Sequence, residues 1–161
     1  MRLPVSFAER DATVVAPDLL NKLLTVRGIT ARIAEVEAYT ADDPASHSFR
    51  GPTARNAVMF GPAGRWYVYL IYGMHHCLNL VTGFEGDGQA VLVRAVAIDG
   101  VPTSRTTGPG RLTRELGIDR TFNGAAAQLY DDGIAPPSTP LVTARIGITK
   151  AADWPRRWLI R

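Results

Sequence analysis

Lysine is nearly missing from this chain. Of its 18 lysines and arginines only Lys22 and Lys150 are lysine, so the positive charge is carried by arginine. A guanidinium is a planar fork that suits phosphate. The net charge of +3 fits an anionic partner, although a solvated basic surface gives the same count. Cysteine is scarcer still. Cys77 stands alone, which excludes an intramolecular disulfide. Histidine occurs three times, as His47, His75 and His76. The run His75-His76-Cys77 invites a metal, but adjacent strand residues point to opposite faces and do not converge on one ion, so no metal site is expected. No apolar run reaches the roughly 20 residues needed to span a bilayer. The opening "MRLPVSFAERDATVVAPDLL" lacks the basic-then-apolar order of a signal peptide. A soluble cytoplasmic protein with no membrane partner is expected.

What remains is an ordinary globular composition, 46% hydrophobic over 161 residues, enough for one domain spanning 1–161 with a proper core. A short helix is predicted around residues 17 to 23, capped by Asp18 or the preceding turn, and then a strand ending near Gly28. "ITARIAEVEAYT" alternates and reads as a strand. "ADDPASHSFRGPTARNAVMFGPAGR" reads as a long loop with a helical turn, and long loops in small domains are often functional. "WYVYLIYGMHHCLNL" reads as a hairpin, "QAVLVRAVAI" as a central strand, and "TGPGRLTRELGI" as a loop feeding a helix that starts at Thr113 or at the Gly-Pro-Gly turn. "AAAQLYDDGIAPPSTP" is predicted partly helical, and "LVTARIGIT" is the last clear strand. The order predicts an α+β fold with a curved, mostly antiparallel sheet, flanking helices and a protruding hairpin.

Two stretches carry candidate chemistry. In "ARIAEVEAY", strict alternation places Ala34, Val36 and Ala38 on one face and Ile33, Glu35, Glu37 and Tyr39 on the other. Two carboxylates on one strand face lie about 6.5–7 Å apart and can act as acid and base, or can simply face water. In the hairpin, Tyr67, Tyr69 and Ile71 share a face, as do Cys77, Asn79 and Val81. A three-residue loop of Gly73, Met74 and His75 sets Tyr69 opposite Asn79. An aromatic plate beside an amide can hold a flat heterocycle by stacking and edge recognition. Tyr72 falls at the tip, where an exposed aromatic either folds over its own hairpin or wedges into a minor groove.

These residues carry a resemblance. "EVEAY", "ASHSFRGPTARN", "MFGPAGRWYVYLIYGMHHCLNL", "AVLVRA", "TGPGRL" and "ARIGI" stand in the order found in the alkyladenine DNA glycosylases, the mammalian-type 3-methyladenine DNA glycosylases. Six motifs in order resemble that family over nearly the whole chain. The resemblance implies a hairpin that enters the minor groove and excision of alkylated purines from double-stranded DNA. It implies Glu37 as general base, Arg94 as a holder of the attacking water and a DNA phosphate, and Ile146 as a second water holder through its backbone carbonyl. Tyr39 resembles the residue on one face of the flipped base, with His47 and Tyr69 on the other. Asn79 matches the position that crowds the 2-amino group of undamaged guanine. Tyr72 matches the wedge, and Met74, Arg50, Gly108 and Arg111 fall on the DNA-binding side. Two departures stand out: the segment between Arg94 and "TGPGRL" is shorter than in vertebrate members, and His75 stands where an aromatic is commoner.

Glu35 shares the strand face but matches no catalytic position of the family. No lysine lies in any of the motifs, whereas a glycosylase-lyase needs an amine for its Schiff base. A monofunctional, monomeric enzyme without metal or organic cofactor is therefore expected, acting in the cytoplasm or on the nucleoid. The alternatives are a DNA-binding module of the same shape without chemistry, and a small nucleoside hydrolase.

Overall fold

The longest strand organises the sheet. In the computed structural model, which describes residues 1–160, strand β2 (Ile29–Tyr39) follows β1 (Leu23–Val26) through a tight turn. Arg27 and Gly28 both have positive φ there, the geometry that lets a two-residue turn follow the twist of its strands. The remaining strands are β3 (Trp66–Ile71), β4 (His75–Thr82), β5 (Gln89–Ala97), β6 (Leu129–Tyr130), β7 (Leu141–Thr143) and β8 (Arg157–Leu159). Their order is β3-β4-β5-β2-β1-β6, with β8 pairing both β2 and β7, and every pairing is antiparallel. The α+β class and the antiparallel sheet are as the sequence predicts.

Strand β2 pairs with β5 along one edge and divides its other edge between β1, over Ile29–Arg32, and β8, over Glu35–Glu37. Where the partner changes, the β2–β5 register shifts twice, at Ile33/Glu35 and at Glu35/Val36. A bulge of this kind breaks strict alternation. Ile33 therefore joins Ala31, Val36 and Ala38 in the core, with no exposed surface, and not the face of Glu37 and Tyr39. The predicted face of four is corrected to that extent.

Two helices cover one face of the sheet. Helix α1 spans Ala12–Leu19, earlier than predicted, because Asp11 and not Asp18 caps it by accepting the Thr13 N–H at 2.9 Å. Pro17 sits inside this helix and not at its start. Helix α2 spans Pro109–Leu116, with Gly108 before it, Pro109 in its first turn and Gly117 left-handed after it. The Gly-Pro-Gly turn thus begins α2, and Thr113 lies inside it, its hydroxyl donating to the His76 carbonyl at 2.9 Å. The segment at 125–140 holds β6 and coil with no helix. "LVTARIGIT" supplies only β7, and the last strand is β8, which the sequence reading missed.

The main core lies between these helices and the sheet. Leu19, Leu20, Leu24, Ile33, Leu78, Leu80, Leu112 and Leu116 are all essentially inaccessible there, and each such side chain contributes about 1.5–3 kcal/mol by leaving water. The opposite face carries a smaller cluster of Met59, Tyr67, Val81 and Ala90, with Tyr39, Val58 and Tyr69 packed on it. A 3-10 turn at Ala57–Phe60 belongs to the loop on that side. Among the described residues no helix is long and apolar enough to cross a membrane.

Candidate active site

The sheet registers bring one row of residues across five strands. Tyr67 on β3 lies opposite Asn79 on β4, Asn79 opposite Leu92 on β5, Leu92 opposite Glu37 on β2, and Glu37 opposite Arg157 on β8. The first four line a cavity of about 490 Å³. The hairpin turn comprises Tyr72, Gly73 and Met74, one residue earlier than predicted, with positive φ at Tyr72 and Gly73 and the Met74 N–H on the Ile71 carbonyl at 3.2 Å. Tyr69 therefore pairs with Cys77 and not with Asn79. The difference is two residues, so every side chain keeps its predicted face.

Glu37 is completely buried at this site. One carboxylate oxygen, Oε2, accepts the Ile146 N–H at 2.8 Å, and Oε1 accepts the Tyr39 hydroxyl at 2.9 Å. The Arg94 guanidinium stands 3.6 Å from Oε1. Burial raises the proton affinity of Glu37, and Arg94, the Ile146 amide, the Tyr39 hydroxyl and Arg145 oppose it. Burial wins, and the carboxyl is held above the usual carboxylate range. A carboxylate with raised proton affinity inside a cleft is suited to accept a proton from water.

Arg94 reaches the cavity through the irregular register. Glu35 pairs with Ala95 and Val36 with Val93, leaving Arg94 as the extra residue between them. Its carbonyl accepts the Gly108 N–H at 2.7 Å, which ties β5 to the start of α2. Bulges next to active sites re-aim side chains in this way.

The walls are aromatic. The His47 and Tyr69 ring centroids are 4.2 Å apart, those of Tyr67 and Tyr69 5.5 Å. His47 Nδ1 is 3.1 Å from the Tyr67 hydroxyl. His47 as a whole is exposed, but partial desolvation of its imidazole, with Arg55 nearby, holds it below its ordinary value. Burial pushes the Tyr67 phenol up to about 12 and raises Tyr39 and Tyr69 too, so all three keep their hydroxyl protons. Asn79 is buried, its amide nitrogen donating to the carbonyls of Tyr67 at 3.2 Å and Cys77 at 3.4 Å. The result is an aromatic slot above one buried acid, with Arg94 and Arg111 also in its lining, a chemistry suited to a planar heterocycle.

Residues 6–161 match the methylpurine-DNA glycosylase family. The chain belongs to that family. A protein of Methanoculleus marisnigri named "Putative 3-methyladenine DNA glycosylase" is 47% identical over 184 aligned positions, covering all of this chain and 96% of the relative. Proteins with the same name from Burkholderia lata and Anaeromyxobacter dehalogenans are 44% and 49% identical over 180 and 169 positions. Each alignment covers 98% of this chain, and 87% and 80% of the respective relative.

Against this methylpurine-DNA glycosylase background, the predicted residues separate into two groups. Glu37, Arg94, Ile146, Tyr39, His47, Tyr69 and Asn79 all line the one cavity. Tyr72, Gly108 and Arg111 line it as well, with Tyr72 84% exposed at the hairpin tip. Met74 is also exposed at the tip but outside the cavity lining, and Arg50 is exposed on the loop after His47, likewise outside it. Ile146 contacts Glu37 through its N–H, an interaction additional to the carbonyl role that the resemblance implies. Among the described residues no group of three or more His, Cys, Asp or Glu side chains is placed to hold a metal.

Sequence reasoning missed one feature behind the slot. Asp43 and Arg145 form a fully buried ion pair with two hydrogen bonds, the Nη2–Oδ1 bond being 3.0 Å. Arg145 also donates to the Ala38 carbonyl at 3.0 Å and stands 4.7 Å from the Tyr39 ring centroid. It thus backs Tyr39, and its bonds to Asp43 and Ala38 anchor the chain next to Ile146. The partners are 102 positions apart, and no local pattern in either segment announces the pair.

Proposed function

We propose that this chain is a monofunctional, monomeric DNA glycosylase that removes alkylated purines, 3-methyladenine and 7-methylguanine among them, from double-stranded DNA and leaves an abasic site. The observation that carries the reading is Glu37, the one carboxylate among the described residues that line the cavity, buried and fixed by an amide and a phenol in an aromatic slot beside an exposed hairpin tip. The damaged nucleotide swings out of the helix into the slot, a motion that costs a few kcal/mol. Tyr72 fills the space left behind and offsets part of that cost. The base lies between Tyr39 and the pair His47–Tyr69. N3- and N7-alkylated purines are cationic, and cation–π attraction to the tyrosine faces contributes about 0.5–2 kcal/mol per contact.

Hydrolysis then needs one water. Its oxygen bonds to C1′ of the sugar as the bond from C1′ to the purine nitrogen breaks, and the bonding electron pair leaves with the base. Glu37 accepts the water proton, and its charge favours the oxocarbenium character of the sugar. A cationic purine departs neutral and needs no acid. Arg94 is close enough to Glu37 to help hold the water and a flanking phosphate. No lysine lines the slot: Lys22 is buried in an ion pair with Asp131 at 3.3 Å, and Lys150 is not part of the lining. Without an amine at the sugar, the Schiff base of a lyase has no donor.

The experiment is incubation with a methylated duplex, followed by identification of the released bases and analysis of the strand. Release of 3-methyladenine with strands that break only after alkali supports the proposal. Tight duplex binding without release points to a non-catalytic module. Turnover of free nucleosides without salt-sensitive duplex binding points to a nucleoside hydrolase.

A further inference from the structure

We infer that Glu35 is a positioning residue for this reaction: it draws two arginines away from Glu37 and so sets both the place of Arg94 and the charge around the base. This rests on the reading of Glu37 given above. Glu35 is buried, and its Oε2 accepts from Arg94 Nε at 3.2 Å and from Arg157 Nε at 2.6 Å. The second bond is the informative one. The β2–β8 register sets Arg157 directly across from Glu37, yet its guanidinium bonds to Glu35. Arg94 likewise gives its Nε edge to Glu35 and approaches Glu37 only to 3.6 Å.

A guanidinium bonded directly to Glu37 would hold it ionised and make it a poor proton acceptor. By binding both arginines, Glu35 leaves burial as the dominant influence on Glu37 while keeping Arg94 at the cavity wall. The groups around Glu37 come from every neighbouring element. They are Glu35 and Tyr39 on its own strand, Arg94 on β5, Cys77 on β4, Arg157 on β8, and Arg145 with the Ile146 amide from the segment after β7. Arg145 is bonded to Asp43, and among the described residues it is Glu35 that bonds both Arg94 and Arg157.

The test compares Glu35→Gln and Arg157→Gln with the unaltered protein. Single-turnover release of methylated purines from a methylated duplex is followed from about pH 5 to 9, alongside thermal unfolding. Release rises with pH as Glu37 loses its proton. Glu35→Gln frees positive charge toward Glu37, so the acid limb moves to lower pH by about one unit at the effective dielectric of a buried site. The plateau falls about tenfold as Arg94 loses its place. Arg157→Gln removes positive charge, so its limb moves to higher pH. Opposite shifts support the inference, because a merely structural role alters unfolding without moving the limb in either direction. Limbs that stay put, or that move the same way, overturn it. Should Glu35→Gln not fold, Arg157→Gln decides: an upward shift supports the inference and an unmoved limb overturns it. A Glu37→Gln control separates the two readings. If that control is active, the assignment of the base is wrong and this inference with it; if it is inactive and the limbs are unmoved, only the role of Glu35 fails.

Discussion

In the proposed mechanism Tyr39 has two jobs, and a single atom separates them. Tyr39→Phe keeps the ring that Arg145 backs at 4.7 Å and removes the hydroxyl that donates to Glu37 at 2.9 Å. A hydrogen bond to a charged group is worth roughly 1.5–3 kcal/mol, and one pK unit is about 1.4 kcal/mol. The lost bond favoured the ionised carboxylate, so the pKa of Glu37, already raised by burial, goes up by about one to two further units. A general base works only when deprotonated. The acid limb of base release therefore moves up by the same one to two units, and the rate below the limb falls about 10- to 100-fold. The rate recovers at high pH, where the carboxylate is ionised in both proteins. Affinity for a damaged duplex should change less, because the stacking ring remains. Stability follows the same sign. Glu37 has a folded pKa above its unfolded value, so its contribution is fully present below the unfolded pKa and is lost as pH rises through the folded one. The assay is single-turnover release against pH, paired with duplex binding. An unmoved limb with normal release would mean that the hydroxyl does not hold the base, and the reasoning about Glu37 would fail with it.

Three other outcomes can be checked. Asp43→Asn leaves Arg145 buried without its carboxylate; denaturant unfolding should show a loss of about 3–5 kcal/mol, and a negligible loss would show that the pair is dispensable. Tyr72→Ala should leave thermal stability unchanged, since the side chain is 84% exposed, while weakening binding to a damaged duplex; unchanged affinity in a binding titration counts against the wedge. Asn79→Ser should raise release of undamaged guanine from normal DNA; if guanine stays protected, the amide serves only its bonds to Tyr67 and Cys77.

Much of this was legible in the sequence because strand alternation survives small errors of register. Tyr67, Tyr69, Cys77 and Asn79 share a face in the hairpin even though the turn sits one residue from its expected place. The start of α2 was legible in Gly108-Pro109-Gly110, since proline fits a first helical turn. What was hidden depends on long-range geometry. The bulges around Glu35 and Arg94 arise where β2 trades one partner strand for another, and no residue there marks the change. They put Ile33 in the core and aim Arg94 at Glu37. Strand β8, three residues long, was not predicted, although it brings Arg157 to Glu35. The early start of α1 was concealed by Pro17, which reads as the beginning of a helix but lies within one.

The measurement that bears most directly on the mechanism is single-turnover base release by Glu37→Gln on a methylated duplex. The amide has the size of the acid and can still accept the Ile146 N–H, so the slot and its grip on DNA should persist. A general base contributes about 10²–10⁴-fold. Release should therefore fall by at least about 100-fold while damaged-duplex affinity is retained. Release at the unaltered rate would contradict the assignment of Glu37 as the group that activates water.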